Sequence, residues 1–428
     1  MITAESLAHR LAGLDGIGNG ADGVRRLAWT EEDAATRAWF ERQAADIGLR
    51  VERDPAGNLW ACPDQDPPWW GVGSHLDSVQ GGGHLDGPLG VACAFEIAAA
   101  TSANAATSAN AADARPVAVV SFADEEGARW GTPTFGSKAL VGRLDLPAVL
   151  SRRDDAGTAL GDAIRAAGVD PDRIADATDW LERLTGFIEI HIDQTTDLAR
   201  AGEPVGLVSA LAARTRLEVT LHGRADHAGT TPRAERRDAL AAAARLIVGA
   251  EDLASAGRSG SGSGSAVTVT TSRILASPNA PTTIAAEVRL WIDARSAGGF
   301  AAIDAWRAEL DDLTTQISGR TRVEIEIAVA SRSDAREFSP SLRAALARAS
   351  DEVVGHAVPE VVCFAGHDAG ILAERLPAAM LLVRNETGVS HSPAEDVDLA
   401  DAAVAARVVE RALADAIVED ALAGANPS

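Results

Sequence analysis

The stretch GSHLDSVQGGGHLDGPLG, residues 73–90, decides how the rest of the chain is interpreted. It contains four candidate ligand side chains, His75, Asp77, His84 and Asp86. An apolar segment, residues 69–73, precedes this glycine-rich turn, and a run of small residues, 91–100, follows it. Imidazoles and carboxylates on a loop between a strand and a helix are the donors that a divalent metal site needs. Because Gly and Asp also form ordinary turns, the stretch alone leaves a metal site and a plain turn equally open.

Composition limits the class of protein. A chain of 428 residues is longer than one hydrophobic core usually grows, so two domains are expected. A formal net charge of -23 argues against nucleic acid or an anionic membrane as a partner. The three cysteines, Cys62, Cys93 and Cys363, are widely separated, which suits a reducing cytosol. There is no signal peptide and no apolar run of about 20 residues, so we expect a cytoplasmic protein.

The pattern around the opening stretch predicts a βαβ unit. A strand at Val72 leads through the glycine-rich loop into a helix from Gly87 to about Ala100, and a second strand runs from Pro116 to Phe122. Three acids, 124–126, follow that second strand. In open α/β sheets, ligands bind beyond the carboxyl ends of the strands, so this position favours function. The alternating segment 187–192 predicts another strand, which carries His191.

The character of the sequence changes near residue 213. Between 213 and 329 the predicted order is strand, helix, strand, strand, helix, strand, the split βαβ pattern of ferredoxin-like domains. We therefore predict a catalytic α/β domain made of residues 1–212 and 330–428, with an α+β domain, 213–329, inserted into it. Within this scheme the repeat 101–112 extends a helix or forms an exposed insertion, 258–265 is a flexible loop, and a last helix covers 398–423.

The first and last parts of the chain together supply metal-type donors at four separate strand ends. They are His75, Asp86, Glu125, Glu126, His191 and His391. Two divalent ions that share one bridging carboxylate need about five ligands of these types and keep open positions for water.

At this level of detail the chain resembles the M20 metallopeptidase-like amidohydrolases. The resemblance is to the branch that holds allantoate amidohydrolase, N-carbamoyl-L-amino-acid hydrolase and β-ureidopropionase. The motifs that carry it are GVRRLAWT (23–30), DPAGNL (54–59), GSHLDSVQGGGHLDGPLGV (73–91), ADEEGARWGTPTFGSKAL (123–140), FIEIHIDQ (187–194), GRADHAGTTPRAERRDAL (223–240), PN (278–279), DAR (293–295), AGHDA (365–369) and SHSPAED (390–396). The resemblance implies a two-domain zinc-peptidase-like fold, in which the inserted ferredoxin-like α+β domain is a lid and dimerisation domain.

The resemblance also implies roles for individual residues. Asp86 would bridge two divalent ions per subunit, with His75, Glu126, His191 and His391 as the other ligands. The resemblance makes Glu125 the general base. It further implies that the Asp77 carboxylate fixes the tautomer of the His75 ring, and that His84 is not a ligand. Zinc is the first candidate metal, and manganese, cobalt and nickel stay open.

In the inserted domain, the resemblance makes His227 the group that stabilises the oxyanion, either in its own subunit or across a homodimer. Asn279 and Arg295 would hold the carboxylate of a small-molecule substrate, since the guanidinium fork suits that task. Gln194 matches a substrate-contacting position.

Three functions follow as hypotheses. The first is hydrolysis of the C–N bond of an N-carbamoyl substrate with an α-carboxylate, such as allantoate or an N-carbamoyl-L-amino acid.

The second hypothesis keeps the enzyme and changes the acyl group to an N-formyl or N-formimino derivative of an acidic amino acid. It is motivated by Arg384, which stands where the family more often has a small polar residue. The third is a catalytically silent small-molecule binding protein. The chain also departs from the family after His191, because Thr195 and Thr196 replace the usual Gly-Pro and Asp193 replaces the usual Glu. These departures leave the substrate undecided.

Overall fold

The computed structural model of the chain describes residues 1–107, 116–256 and 266–414. The chain divides into two compact units. The first comprises Met1–Ser209, Glu337–Val361 and Gly366–Ser428, and the second comprises Ala210–Arg336 and Val362–Ala365. The predicted mixed α/β architecture is confirmed. The predicted domain boundaries at 212/213 and 329/330 stay predictions.

The described residues form strands β1 (Asn19–Gly20), β2 (Gly23–Val24), β3 (Arg50–Arg53), β4 (Leu59–Cys62), β5 (Trp69–His75), β6 (Val117–Phe122), β7 (Leu184–Ile192), β8 (Val205–Leu211), β9 (Ala213–His222), β10 (Asp226–His227), β11 (Thr268–Ser277), β12 (Thr283–Ile284), β13 (Glu287–Ser296), β14 (Glu324–Ser333), β15 (Arg336–Glu337), β16 (Glu360–Cys363) and β17 (Ala378–Val383). The α-helices are α1 (Ala4–Leu11), α2 (Glu31–Asp46), α3 (Pro88–Thr107), α4 (Phe135–Leu140), α5 (Leu146–Leu150), α6 (Leu160–Ala166), α7 (Asp197–Ala201), α8 (Ala239–Ala256), α9 (Gly299–Thr321), α10 (Pro340–Val354), α11 (Asp368–Leu372) and α12 (Leu399–Ala414), and two 3₁₀ segments cover Ala12–Leu14 and Pro171–Arg183.

The largest sheet has the strand order β15-β8-β17-β7-β5-β6-β4-β3, with β16 paired to β8. Its four central strands, β17, β7, β5 and β6, run parallel. Strands β8, β4 and β3 pair antiparallel on either side of them. The central strands are buried on both faces, which explains their nearly continuous apolar sequences. Because the parallel strands end at the same edge, the segments that follow them meet there.

Helix α3 joins β5 to β6 and packs closely on the sheet, so the predicted βαβ unit is confirmed. Small residues allow this approach. A Cβ atom at Gly90 of α3 would lie 2.1 Å from the carbonyl oxygen of Ile190 in β7. Between the strands themselves, a Cβ atom at Gly73 of β5 would lie 2.0 Å from the carbonyl oxygen of Val120 in β6. On the far side of α3, Phe95 makes edge contacts with two aromatic rings of the preceding helix, α2. The opening stretch is thus held between a buried strand and a buried helix.

The second unit contains a four-stranded antiparallel sheet of order β11-β13-β9-β14. Its elements follow the chain as β9, α8, β11, β13, α9 and β14, which is the predicted split βαβ order. Along β9, Leu217 and Val219 are buried on the face that packs with the helices, while Arg214 and Arg216 lie on the other face.

Some sequence predictions differ from the structure. The strand predicted at 187–192 begins earlier, at Leu184. Strand β8 was not predicted, because VGLVSAL is short, contains Gly and Ser, and lacks a period of two. The repeat 101–112 continues α3 to Thr107, and its remainder lies outside the described residues, as do the loop 258–265 and the predicted helix beyond Ala414. Within the described ranges, no helix combines the length and apolarity needed to cross a bilayer.

Candidate active site

The candidate ligands come from the segments that follow the parallel strands. His75 is the last residue of β5, Asp86 lies in the loop before α3, Glu126 follows β6, and His191 is near the end of β7. His391 follows β17 and has a φ of 56°. A positive φ at a non-glycine residue costs of the order of 1–3 kcal/mol, which is typical of functional positions. The shared sheet edge therefore brings together residues that are over 300 positions apart in sequence.

Asp86 lies between two groups of donors. Its Oδ1 is 3.0 Å from Nε2 of His191 and 3.6 Å from Nε2 of His75. Its Oδ2 is 3.6 Å from Nε2 of His391, which is in turn 3.3 Å from Oε2 of Glu126. These are two clusters of three donor atoms with Asp86 common to both. One carboxylate oxygen faces each cluster, which is the arrangement expected of a bridging ligand.

The electrostatics of the site fit a divalent cation. Burial, opposed by His75 but reinforced by neighbouring carboxylates, raises the pKa of Glu125 well above its usual range. Burial and then the charge of Asp86 raise the pKa of Glu126 to about 8. His191 Nε2 is buried, and its 3.0 Å contact with Asp86 Oδ1 lacks hydrogen-bond geometry, so among the described residues it makes no hydrogen bond. Several carboxylates and imidazole nitrogens therefore converge at one place, and a divalent ion there would compensate the negative charge of the carboxylates.

The contacts of Asp77 differ from those that the sequence predicts. We expected its carboxylate to fix the His75 tautomer, but that carboxylate oxygen is 3.7 Å from the ring nitrogen, beyond hydrogen-bond distance. The backbone carbonyl of Asp77 meets His75 Nδ1 instead, at 3.0 Å. The carboxylate accepts the backbone N–H groups of Glu125 and Glu126, each at 3.1 Å. Asp77 therefore joins the His75 loop to the acidic turn.

Asp86 is also held by groups outside the predicted ligand set. Ser390 donates to its Oδ2 at 2.6 Å, and Gln194 Nε2 donates to the same oxygen at 3.3 Å. Gln194 was predicted to contact substrate, and in the structure it contacts this carboxylate. Buried Glu395 accepts the backbone N–H groups of Leu85 and Asp86, each at 2.9 Å. His84, the predicted bystander, is exposed on the same loop.

Two buried side chains beside His191 were missed as site residues. His367 and Glu189 form a third cluster of donors with His191, and the His367 ring centroid is 4.3 Å from that of His191. Burial, then the proximity of His191, lowers the pKa of His367 well below its usual value, so the ring is neutral. The signal was available: Glu189 lies two residues before His191 on the same strand face, and His367 belongs to the AGHDA motif.

The second unit contains the other three predicted residues. His227 is exposed, and its Nδ1 accepts the backbone N–H groups of Gly229 and Thr230, each at 3.1 Å. Because Nδ1 is an acceptor, the neutral ring carries its proton on Nε2 and can donate from there. Asn279 lines a cavity of about 160 Å³ close to the β10–β12 pair that contains His227.

Arg295 is paired with one acidic side chain, whereas Arg384 is paired with two. Arg295 Nε donates to Asp293 at 2.7 Å, and its guanidinium also contacts the Phe364 carbonyl. Arg384 Nε donates to Asp401 at 2.8 Å, and the same nitrogen lies 3.2 Å from a Glu386 oxygen. The two acids around Arg384 weaken the sequence-based idea that it binds an acidic substrate.

Comparison with known proteins agrees with this geometry. The profile described as peptidase family M20/M25/M40 matches residues 71–415. The chain belongs to this family. A relative from Geobacillus stearothermophilus, named N-carbamoyl-L-amino acid amidohydrolase, is 34% identical over 96% of this chain and 97% of its own length. An M20 relative from Escherichia coli K12, named allantoate amidohydrolase, is 29% identical over 90% of both chains.

A solved structure is also similar over nearly the whole chain. It is an amidase of the hydantoinase/carbamoylase family from Burkholderia vietnamiensis, with a TM-score of 0.81, 27% identity, and coverage of 96% of this chain and 97% of its own. The predicted resemblance, including its branch, is therefore confirmed. Membership makes this M20 protein a hydrolase that acts on C–N amide bonds.

Proposed function

We propose that this M20 hydrolase cleaves the C–N amide bond of an N-carbamoyl substrate that carries an α-carboxylate, such as allantoate or an N-carbamoyl-L-amino acid. The observation that carries the proposal is the position of Asp86, one oxygen of which faces each of two donor clusters. The proposal includes two divalent ions per subunit, zinc first, with manganese, cobalt and nickel as the other candidates. The names of the relatives from Geobacillus stearothermophilus and Escherichia coli support the substrate class.

In this proposal His75, Asp86 and His191 hold one ion, and Asp86, Glu126 and His391 hold the other. When bound, such ions act as Lewis acids and lower the pKa of water towards about 7. His391 is the exposed member, with 49% of its side chain accessible, whereas His75 and His191 are each 1% accessible. The His391 side of the site is therefore the more accessible to solvent.

Glu125 is the proposed general base. Its Oε2 lies 3.9 Å from His75 Nε2, beside the first cluster, and it is not needed to complete either group of three donors. A buried carboxyl whose pKa is raised can take a proton from the attacking water and return it to the leaving nitrogen. The Asp77 carboxylate fixes the backbone that carries Glu125, so this proton carrier is held in place.

His227 is the proposed donor to the developing oxyanion, in its own subunit or across a homodimer formed through the second unit. Its tautomer supports this role, since Nδ1 accepts two backbone N–H groups and leaves an Nε2–H donor. Asn279 and Arg295 are proposed to hold the substrate carboxylate, and Gln194 to contact the substrate next to Asp86. The three cysteines are all buried and none is in a disulfide bond, which suits a cytoplasmic protein.

The N-formyl or N-formimino hypothesis depended on Arg384 as a contact for an acidic substrate. It loses that support, because Arg384 is paired with Asp401 and Glu386. The silent binding protein is not retained, because the chain belongs to a family of hydrolases. The remaining question is which amide is cleaved.

The test is a substrate panel on metal-reconstituted protein. Allantoate, N-carbamoyl-L-amino acids and the matching N-formyl compounds are incubated with the enzyme, and released ammonia, amine and formate are measured. We expect turnover of a carbamoyl compound above its formyl partner. A preference for the formyl compounds, or full turnover after metal removal, would contradict the proposal.

A pair of variants in one loop provides the control. His75→Gln replaces a buried proposed ligand and should abolish turnover and weaken metal binding. His84→Gln replaces an exposed histidine nine positions later, so turnover should stay within about twofold of the wild type. Equal activity of the two variants would remove His75 from the site.

A further inference from the structure

The open face of the sheet in the second unit carries an unbalanced cluster of positive charge. On this face Arg214 and Arg216 of β9 lie beside Asp293 and Arg295 of β13. In the sheet register Arg295 stands directly opposite Arg214, and Asp293 stands directly opposite Arg216. Like charges directly opposite each other on neighbouring strands destabilise a sheet, so the Arg214–Arg295 pair calls for a compensating anion.

Within this cluster, Asp293 is the one carboxylate that compensates the charge of three guanidinium groups. Asp293 accepts from Arg295 Nε at 2.7 Å and from Arg216 Nη2 at 3.0 Å. Arg214 Nε is buried and has no hydrogen-bond partner among the described residues. Three arginines and one aspartate give this cluster a net charge of +2, in a chain whose formal net charge is -23. The excess positive charge is therefore local and is not a property of the surface as a whole.

A cavity opens on the same face. Its volume is about 290 Å³, and its lining consists of Arg216, Thr268, Thr270, Ser272, Asp293 and Arg295. Two guanidinium groups and three hydroxyl groups are hydrogen-bond donors that suit carboxylate or phosphate oxygens. Arg216 keeps 39% of its side chain accessible, so its charge is available to a ligand even while it contacts Asp293.

We propose that this cavity binds a second anionic group of the substrate, the side-chain carboxylate of a dicarboxylic N-carbamoyl amino acid. The inference rests on the proposed function, in which Arg295 holds the α-carboxylate. Arg216 and the neighbouring hydroxyl groups then bind the other carboxylate. Arg214, which stands opposite Arg295 in the sheet, adds its positive charge. Arg216 stands opposite Asp293, which lies two residues before Arg295 on β13. The cross-strand pairs Arg216–Asp293 and Arg214–Arg295 are therefore roughly 7 Å apart along the strands. That spacing suits the two carboxyl groups of a glutamate-sized compound.

The test compares two substrates that differ only in charge, N-carbamoyl-L-glutamate and N-carbamoyl-L-glutamine, on the full-length, metal-reconstituted enzyme. We expect kcat/KM for the glutamate compound to be at least about tenfold higher, as one charge-assisted hydrogen bond allows. Arg216→Gln should bring the ratio close to one by raising KM for the glutamate compound more than KM for the glutamine compound, with a smaller effect on kcat. Arg216→Lys should restore part of the ratio.

Arg289→Gln is the matched control. Arg289 lies on the same face of β13, pairs with Glu218, and does not line the cavity, so this variant removes one positive charge elsewhere. It should keep the wild-type ratio. A wild-type ratio of one or less, or a ratio that Arg216→Gln leaves unchanged, would overturn the proposal. A ratio that falls equally in Arg289→Gln would also overturn it, since the effect would then be one of general charge.

A binding measurement separates this inference from the proposed function. Glutarate and its monoamide, which keeps one carboxylate and replaces the other by a neutral amide, are titrated into the same protein by calorimetry, which needs no turnover. If neither carbamoyl compound is hydrolysed, the proposed substrate class fails. The anion site is still supported if glutarate binds at least about tenfold more tightly than the monoamide and Arg216→Gln removes the difference. Equal or undetectable binding of the two compounds overturns it.

Discussion

Glu395 should control metal binding although it contributes no donor atom to either of the two clusters that share Asp86. Its side chain is buried, and Oε1 accepts the backbone N–H groups of Leu85 and Asp86, each at 2.9 Å. Those two bonds hold the segment that presents Asp86 to both clusters. We predict that Glu395→Gln weakens metal binding moderately and that Glu395→Ala weakens it strongly.

The magnitude follows from the bonds lost. Hydrogen bonds to a charged acceptor contribute about 1.5–3 kcal/mol and neutral ones about 0.5–1.5 kcal/mol, so replacing the carboxylate by an amide costs roughly 2–3 kcal/mol for the two bonds at Glu395. Truncation to Ala leaves both N–H groups unsatisfied, at about 1–3 kcal/mol each. If all of this appears as lost order around Asp86, apparent metal affinity falls roughly 30- to 150-fold in Glu395→Gln and up to about 10⁴-fold in Glu395→Ala.

The assay is competition for zinc or manganese between the protein and a chromogenic chelator, with the thermal midpoint of the metal-free protein recorded in parallel. Asp396→Asn is the control, because Asp396 is the exposed neighbour of Glu395 and the substitution removes the same charge. It should bind metal like the wild type. If Glu395→Ala also bound metal with unchanged affinity, the bonds to Leu85 and Asp86 would not order the site, and the reasoning would be refuted.

Three further predictions concern catalysis and packing. Glu125→Gln should lower kcat by about 10²–10⁴-fold while metal content, measured by elemental analysis, stays unchanged; loss of the metal would instead make Glu125 a ligand. A chelator should abolish turnover and added zinc or manganese should restore it, whereas activity that survives complete metal removal would exclude the mechanism. Gly73→Ala should prevent folding, because its Cβ atom would lie 2.0 Å from the Val120 carbonyl oxygen. As the control, the Cβ atom of Gly319→Ala in α9 meets nothing within 4 Å, so this variant should stabilise the helix by up to about 1 kcal/mol. Circular dichroism and thermal unfolding measure both effects.

The parts of the fold that the sequence predicts well are those with a local pattern. The strand before His75, the helix after Asp86 and the alternating strand with His191 each have a period or an apolar run of their own. Because parallel strands share an edge, their ends then had to meet. Strand β8 has no such pattern and exists because β17 offers it a partner, so its burial was decided by tertiary structure.

The residues that support the site were hardest to predict. Glu395 reaches Leu85 and Asp86 across 310 and 309 positions, and no local rule specifies such a bond. The Asp77 carboxylate could be foreseen as a partner of something near His75, but its choice of the N–H groups of Glu125 and Glu126 depends on how the β6 turn lies against β5. Ligand identity follows from residue type, whereas ligand orientation depends on contacts between distant segments.

The place of β17 in the sheet has a consequence for how the protein is made. This strand lies between β7 and β8, although it follows them by more than 150 residues in the chain. As the chain leaves the ribosome, β7 and β8 must wait for residues 378–383 before the sheet can close. The cluster of His75, Asp86 and His191 is complete once residue 191 has emerged, while the cluster with His391 needs two hundred residues more. If two ions bind as proposed, synthesis would therefore impose an order on their acquisition, because the ligands of the first emerge long before those of the second.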